Sequence, residues 1–455
     1  MNILELVKSS DKIAFMQNGK SITYRELLAR GCEFGGLLAN KGIKKGGHVL
    51  VFAPLSIDFY IAMIGAWVIG ATPIFIDFSR GSQFVNDSIS RLKPDIIVCD
   101  GVTALVRLKY ANIKQIPMVK VNTKPNNRLD IQNVDANHPA ILTFTSGTTG
   151  QPKVAVRSHG FLINQYHILK KYIDFDENHI DFATLPVFTL ANLAAGITTI
   201  LPNKAYKGVK LPKSLSKITR TICSPATLQK MLASSTLPLL KKVYLGGAPV
   251  YPSLLKKLMS DVEVNTVYGA TEAEPIAHLD WANATDEDKS KIASGAGLLA
   301  GHPVSEIDIK ITPEGEIIVT GDNVLKGYLE GIGDVENKIK DGEKIWHRTG
   351  DTGYIDDAGR LWLTGRLSQI ICDEIGVLHP FAVECVLDAH FGIRGAAILH
   401  KGKRAVVIDK NLDSNLVLKA LKSLHIHQVI KIKALPMDKR HNAKIDYAQL
   451  EKASP

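Results

Sequence analysis

Short apolar runs, each closed by turn-forming residues, alternate with helical stretches along most of this 455-residue chain. No other feature constrains the fold as strongly. The runs fall at 48–52, 72–76, 96–99, 118–121, 222–223, 242–245 and 263–267. Strands that alternate with helices predict an α/β protein whose sheets are largely parallel and flanked by helices on both faces. Local signals agree with the pattern. Thr23-Tyr-Arg-Glu26 is a capping box, with threonine at the N-cap and glutamate three residues on. It opens a helix whose apolar positions Leu27, Leu28, Phe34, Leu37 and Leu38 keep helical spacing. The stretch from Phe59 to Ile76 carries no charge, which is near the lower limit for a membrane span. Gly65, Gly70 and Pro73 interrupt it, so it predicts a buried helix at 58–70 running into a buried strand at 72–76.

The texture changes after about residue 280. Segments 306–311 and 316–320 flank a Pro-Glu-Gly turn, and 353–355 and 361–363 flank Asp-Asp-Ala-Gly. Both predict β-hairpins. From about residue 367 follows a small α+β region, with a helix at 381–390, strands at 396–400 and 405–408, and a helix over 416–424. A chain of this length exceeds one small core, so two or three domains are expected. The expected division is a large N-terminal region, 1–366, with a β-rich subdomain at 281–366, and a small C-terminal region, 367–455.

The segment richest in chemistry is Leu142-Thr-Phe-Thr-Ser-Gly-Thr-Thr-Gly-Gln-Pro-Lys153, where an apolar strand ends in glycines and hydroxyl residues. Glycines permit backbone angles at which successive N–H groups converge on phosphate oxygens. Thr145, Ser146, Gly147, Thr148, Thr149 and Gly150 are therefore candidate phosphate-binding residues, and Lys153 adds a positive charge. The run lacks the G-x-x-x-x-G-K-[ST] of a Walker A loop.

This run resembles the signature of the adenylate-forming superfamily of acyl-CoA synthetases, peptide-synthetase adenylation domains and luciferases, and the family's other motifs follow in order over essentially the whole chain. The resemblance implies these roles. Gly246-Gly-Ala-Pro249, that is Gly246, Gly247, Ala248 and Pro249, would line the adenine pocket. In Tyr268-Gly-Ala-Thr-Glu272, Tyr268 would pack on adenine and Glu272 would hold Mg²⁺, with Thr271 a further candidate catalytic residue. Asp351 of Thr349-Gly-Asp351 would grip the ribose hydroxyls. Arg366 of Gly365-Arg366 would reach the nucleotide just before an interdomain hinge at Ser368. Lys444 of Asn442-Ala-Lys444 would be the adenylation lysine, carried on a mobile C-terminal lid. These roles make chemical sense. A carboxylate accepts two hydroxyl donors well, a glutamate suits a hard cation that shares phosphate oxygens, and a lysine can meet negative charge as it develops.

Implied co-substrates are ATP with Mg²⁺ and a small-molecule carboxylic acid. Leu185-Pro-Val-Phe-Thr-Leu-Ala-Asn192 would line the acyl pocket beside Tyr268 and Ala270. Its Phe188 and Leu190, with the neighbouring Leu193, are apolar and favour a fatty or alkyl acid over an amino acid. The final acceptor stays open. Ligases that transfer to a thiol usually carry Asp or Lys where this chain has Ser368, and the acidic pair Asp373-Glu374 would repel the phosphates of coenzyme A. Leu185-Pro-Val-Phe, Tyr268-Gly-Ala-Thr-Glu-Ala273 and Arg440-His-Asn-Ala-Lys-Ile445 are similar to olefin β-lactone synthetases, in which the hydroxyl of a 3-hydroxy fatty acid displaces AMP. Transfer to coenzyme A or to an acyl carrier protein is the rival.

Composition narrows the remaining classes. The formal charge of +10 comes from dispersed residues, without the aromatic-interleaved basic stripe of a nucleic-acid binder. A positive field also suits ATP or an acidic carrier protein. The five cysteines are scattered and never form C-x-x-C, so they read as free thiols in a reducing compartment. An acidic residue interrupts the start of the chain where a signal peptide would be apolar, so the cytoplasm is the expected location. A non-catalytic nucleotide-binding protein is the alternative of another class. It has no need of an adenylation lysine, and the joint presence of Lys153, Glu272, Asp351 and Lys444 argues against it.

Overall fold

The computed structural model describes residues 1–100, 110–123, 128–145, 153–203, 210–438 and 444–453. The chain divides into two units by packing. The first comprises Met1–Ile222, Ser235–Leu240 and Leu325–Lys338, and the second Cys223–Ser234, Lys241–Val324 and Ile339–Pro455.

The first unit is built on the parallel sheets that the alternation predicts. One sheet has the strand order Met118–Val119, Ile96–Cys99, His48–Phe52, Thr72–Phe75, Pro139–Thr145 and Lys153–Ser158. Every neighbouring pair is parallel except the last, an antiparallel hairpin in which Thr145 faces Lys153. A second group of strands runs parallel through Arg220–Cys223, Ile180–Ala183, Thr198–Ile200 and Ile13–Gln17, with Lys20–Thr23 closing it antiparallel. The capping box forms as expected: the Thr23 hydroxyl accepts the Glu26 N–H and the Glu26 carboxylate accepts that of Thr23, at the head of helix Tyr24–Asn40. The uncharged stretch is a buried helix, Ile57–Val68, followed by strand Thr72–Phe75.

These two helices meet at glycines. A Cβ on Gly31 would lie 2.2 Å from Ile64 Cγ2, one on Gly35 would lie 3.0 Å from the Gly65 carbonyl oxygen, and one on Gly65 would lie 2.7 Å from Phe34 Cδ1. Absent side chains thus let the backbones approach directly, and around them Phe34, Leu38, Ile61, Ile64 and Trp67 form the centre of the core. Helix entropy disfavours glycine by roughly 1 kcal/mol, a cost that the close approach offsets.

The second unit carries the β-rich texture. Strand Lys242–Gly246 runs parallel to Glu263–Ala270, and the sheet continues antiparallel through Ala273–Asp280, Leu298–Pro303, Leu361–Arg366, Lys344–Ile355, Glu316–Gly321 and Ile307–Ile311. Both predicted hairpins are present. The expected α+β region forms too, with hairpin Ile371–Asp373/Gly376–Leu378, helix Pro380–Phe391, and a three-stranded sheet of Gly395–His400, Lys403–Ile408 and Gln428–Lys431. Helix Pro380–Phe391 is buried beside Tyr251, Ile292, Leu299 and Trp362 through Cys385 and Phe381.

Three details differ from expectation. The strand expected at 118–121 is only Met118–Val119. The strand expected at 263–267 continues to Ala270. The helix expected at 416–424 splits into Ser414–Ala420 and a 3-10 turn at Lys422–Leu424, because Leu421 leaves helical geometry (φ −96°, ψ 12°) while its side chain stays wholly buried. Among the described residues no helix is long and apolar enough to cross a membrane, and all five cysteines are unbridged.

Gly35→Val should lower the unfolding free energy by about 1–3 kcal/mol, because the added groups overpack a backbone contact that cannot relax. Urea titration of the full chain checks this, and an unchanged midpoint at unchanged slope contradicts it.

Candidate functional site

Two motif segments lie at the carboxyl ends of neighbouring parallel strands in the second unit, where α/β sheets bind ligands. Gly246 ends its strand opposite Val267, so Gly247, Ala248 and Pro249 leave the sheet beside Tyr268. Gly246 must be small, since its Cβ would lie 3.0 Å from the Val267 carbonyl oxygen, and Gly247 turns the chain at φ +77°. Strands Glu263–Ala270 and Ala273–Asp280 are joined by a tight turn made of Thr271 and Glu272, with Ala270 paired to Ala273. The turn holds the Glu272 side chain largely buried, at 8% exposure.

Tyr268, Asp351 and Arg366 meet. The Tyr268 hydroxyl donates to the Asp351 carboxylate at 2.8 Å, and Arg366 Nε lies 3.0 Å from its other oxygen. Arg366 stands directly across from Asp351 in the strand register, and its Nη1 also donates to the Thr349 carbonyl at 2.9 Å. Burial, and then the negative charge of Asp351, push the Tyr268 phenol well above its usual range, so it stays a donor.

A residue absent from every motif holds this arrangement. Glu316, 2% exposed, accepts the Gly350 N–H at 3.0 Å with one oxygen and the Arg348 guanidinium at 2.6 and 2.8 Å with the other. Gly350 sits at φ +70° inside strand Lys344–Ile355. Its irregular backbone would otherwise leave an N–H without an acceptor in the sheet. Thr349 completes the turn by donating to the Ile317 carbonyl at 2.7 Å and accepting the Asp351 N–H at 3.0 Å. Nothing in the spacing of the sequence marks Glu316.

Lys444 is held through its backbone. Its N–H donates to the Asp438 carboxylate at 2.8 Å, and its carbonyl accepts the Asp438 N–H at 2.8 Å. The neighbouring Met437 and Ile445 form a bridge, with Ile445 buried. The ends of the segment that presents the lysine are thus clamped together. Asp438 was not a sequence candidate; its only signal is an acid placed shortly before the Asn-Ala-Lys motif.

In the first unit the hairpin strands bring Thr145 and Lys153 into register. Ser146, Gly147, Thr148, Thr149 and Gly150 lie outside the described residues. Lys153 is 6% exposed, and its Nζ donates to Asn337 Oδ1 at 2.8 Å and lies 5.7 Å from the centre of the Tyr328 ring. Asn337 in turn donates to the Gly333 carbonyl at 2.7 Å. A Cβ on Gly333 would stand 2.5 Å from the lysine stem, so that glycine makes the channel in which Lys153 lies. Sequence reading identified Lys153 but neither Asn337 nor Gly333.

The segment expected to line an acyl pocket folds as helix Pro186–Ala195, started by proline at its first position. Leu190 and Leu193 line a narrow apolar cleft, bordered by Ile3, Leu6, Trp67 and Tyr166. Phe188, 1% exposed, does not line this cleft, because it lies on another face of the helix. Asn192 anchors the helix by donating to Asp181 at 2.6 Å, and Asp181 is paired with the wholly buried Arg220 at 2.8 Å. Ala270 lies half-buried at the end of its strand in the second unit.

Ser368 is in a 3-10 turn, Leu367–Gln369, just after strand Leu361–Arg366. The neighbouring acidic pair is not two free charges. Both Asp373 oxygens accept from Arg404 at 2.7 Å, and that guanidinium holds the carboxyl below its usual range. Glu374 is exposed. The repulsion expected of this pair toward phosphates is correspondingly weaker.

Residues 5–329 match the family model described as AMP-binding enzyme, and the chain belongs to that family. It is similar to olefin beta-lactone synthetase of Xanthomonas campestris pv. campestris, with 26% identity over 94% of this chain and 90% of that protein. It is also similar to 4-coumarate-CoA ligase 1 of Narcissus pseudonarcissus, at 25% identity over 84% of this chain and 77% of the relative. Its fold matches ATP-bound MatB from Rhodopseudomonas palustris with a TM-score of 0.82 at 20% identity, covering 99% of both chains. By family it is an adenylate-forming ligase.

Glu316→Ala should lower stability by about 1–3 kcal/mol, the usual cost of leaving a buried N–H without its acceptor. An unchanged midpoint in urea would contradict its role in holding Thr349-Gly-Asp351.

Proposed function

We propose that this enzyme activates a fatty acid, in particular a 3-hydroxy fatty acid, as its acyl-adenylate, and that the substrate's own hydroxyl then displaces AMP to give a β-lactone. The observation that carries the activation step is the Tyr268–Asp351–Arg366 cluster. The lactone step is supported by similarity to olefin beta-lactone synthetases over 94% of the chain.

In the first step a carboxylate oxygen of the acid attacks the α-phosphorus of ATP, and the bond to the departing pyrophosphate breaks. Tyr268 supplies a flat face for adenine, while Asp351 accepts the ribose hydroxyls and Arg366 keeps it oriented. Lys153 and the hydroxyl-rich segment before it supply donors for phosphate oxygens. Lys444 meets the charge that gathers on the α-phosphate in the transition state, where a preplaced donor is most effective. Mg²⁺ would be held by Glu272, and when bound it neutralises phosphate charge. A single buried carboxylate suits an ion that keeps waters and shares phosphate oxygens, and among the described residues no cluster of three or more acidic, histidine or cysteine side chains competes for it.

In the second step the 3-hydroxyl oxygen attacks the acyl carbon, the bond to AMP breaks and the hydroxyl proton is released. The ring forms within one bound molecule, so the attack gains effective molarity over an external acceptor. Transfer to coenzyme A or a carrier thiol is the second reading, and one observation favours it: Arg404 neutralises Asp373, which removes part of the barrier to a phosphate-bearing thiol.

Pyrophosphate release with MgATP across fatty, 3-hydroxy fatty, aryl and amino acids, with and without coenzyme A, separates these readings. Release with 3-hydroxy acids that yields a lactone and ignores coenzyme A is expected. A thioester formed only with coenzyme A overturns the lactone step, and no release with any acid overturns activation. Lys444→Ala should slow pyrophosphate release roughly a hundred- to a thousandfold with ATP binding nearly unchanged. Wild-type release by that variant removes the lysine from the mechanism. Asp351→Ala should weaken ATP binding, seen as a raised dissociation constant in calorimetry, and an unchanged constant contradicts the ribose contact.

A further inference from the structure

Helix Pro380–Phe391 buries a carboxylate that the chemistry above does not use. Glu384 is 3% exposed, on the face turned toward the residues that follow the Gly246–Pro249 segment. Its Oε2 accepts the Tyr251 hydroxyl at 2.6 Å and the Arg394 guanidinium at 2.9 Å, and its Oε1 accepts the Tyr447 hydroxyl at 3.5 Å. The Arg394 guanidinium also lies over the Tyr251 ring, 4.7 Å from its centre. One turn further along the same helix, Asp388 accepts the Ser253 N–H at 3.0 Å and the Ser253 hydroxyl. Burial and the charge of Glu384 raise both tyrosines well above their usual range, so both remain donors.

The partners make this cluster more than a packing device. Tyr251 and Ser253 directly follow Gly246-Gly-Ala-Pro249. Tyr447 stands at the head of helix Tyr447–Ala453, three residues after Lys444. The residues between Lys444 and Tyr447 are tied into the fold. Ile445 is buried, the Asp446 N–H donates to the Pro436 carbonyl at 2.8 Å, and Asp438 clamps Lys444 on both sides of its peptide. Tyr251 is thus joined through Glu384 to Tyr447, at 2.6 and 3.5 Å, and Tyr447 follows Lys444 by three residues along the chain.

Energetics favour a specific role over a stabilising one. Burying a carboxylate is costly, and apolar residues of like shape often serve stability as well or better. What an ionic cluster offers instead is direction. A carboxylate with three donors fixes the relative placement of three segments, which apolar contacts leave free to slide.

We propose that Glu384 is a positioning residue for the adenylation step: by gripping Tyr251 and Tyr447 together, it sets Lys444 at a fixed place relative to the adenine-pocket segment. The proposal rests on Lys444 acting as the adenylation lysine. Glu384 touches no reacting atom and acts through Tyr447 and the segment before it. A displacement of about 1 Å at Lys444 is enough to matter, since misplacement on that scale costs up to about a hundredfold in rate.

The test uses the full chain with an acid that supports pyrophosphate release, and the variants Glu384→Gln and Tyr447→Phe, alone and combined with Lys444→Ala. Adenylation kcat should fall roughly ten- to a hundredfold in Glu384→Gln, and by less in Tyr447→Phe. The KM for ATP should stay within about threefold, because nucleotide contacts are kept. Neither variant should slow the reaction further in the Lys444→Ala background, since the lysine they position is gone. Wild-type kcat in both single variants overturns the proposal. So does a full multiplicative loss in the Lys444→Ala background, which marks a merely structural role. Should Glu384→Gln show no cooperative melt, Tyr447→Phe decides alone, because it removes one hydroxyl and keeps the ring: wild-type kcat there overturns the proposal. Wild-type activity of Lys444→Ala itself strikes at the proposed mechanism and removes the basis of this one with it. That outcome is distinct from an inactive Lys444→Ala whose activity Glu384→Gln lowers further.

Discussion

Asp351 meets Tyr268 and Arg366 on a strand that is held out of regular geometry, and most of the second unit's candidate site depends on that irregularity. Gly350 adopts a positive φ inside strand Lys344–Ile355, which a side chain would resist. The break in the ladder leaves polar backbone groups to be satisfied from elsewhere. Glu316 takes the Gly350 N–H, Arg366 takes the Thr349 carbonyl, and the Thr349 hydroxyl bridges to Ile317. With the backbone so fixed, the Asp351 carboxylate faces Tyr268 and Arg366 together. The pairing across the hairpin does the rest, because Asp351 and Arg366 are direct register partners.

The same division between a small set of reactive groups and a larger set of supports recurs elsewhere. Lys153 lies in a channel made by the missing side chain of Gly333 and is met at its end by Asn337. Lys444 is presented by a segment whose ends Asp438 joins. In both cases the charged group is long and flexible, and rotamer entropy opposes its placement. Around Lys444 the support acts on the backbone, and around Lys153 it acts on the aliphatic stem and, through Asn337, on the ammonium group. Burial of the Glu316 carboxylate is tolerable because it is fully engaged. Glu316 has three donors within 3.0 Å, and unsatisfied charge at such depth would be strongly destabilising.

Much of this was legible in the chain itself. The alternation of apolar runs and helices predicted the parallel sheet of the first unit, and the hairpins after residue 280 stood where their turns indicated. Local chemistry explains that success: capping at Thr23, glycines at strand ends and Asp-Asp-Ala-Gly at a turn act within a few residues of where they sit. Where a decision rested on distant residues, sequence reasoning fell short. It ended the Glu263 strand too early, because pairing with Ala273–Asp280 carries that strand on to Ala270. It counted Asp373 as a free charge, because Arg404 is far away along the chain.

By itself the sequence determined the class of protein, since motif residues such as Tyr268, Glu272, Asp351 and Lys444 are recognisable by type and order. It also determined most secondary structure, because periodicity and capping are short-range effects. Only the tertiary structure decided which unremarkable residues hold the reactive ones. Glu316, Asn337, Asp438 and Glu384 carry no signature, because a carboxylate or an amide reads the same whether it is in water or buried among three donors. What sets its role is the donors around it, and folding brings those together from distant parts of the chain.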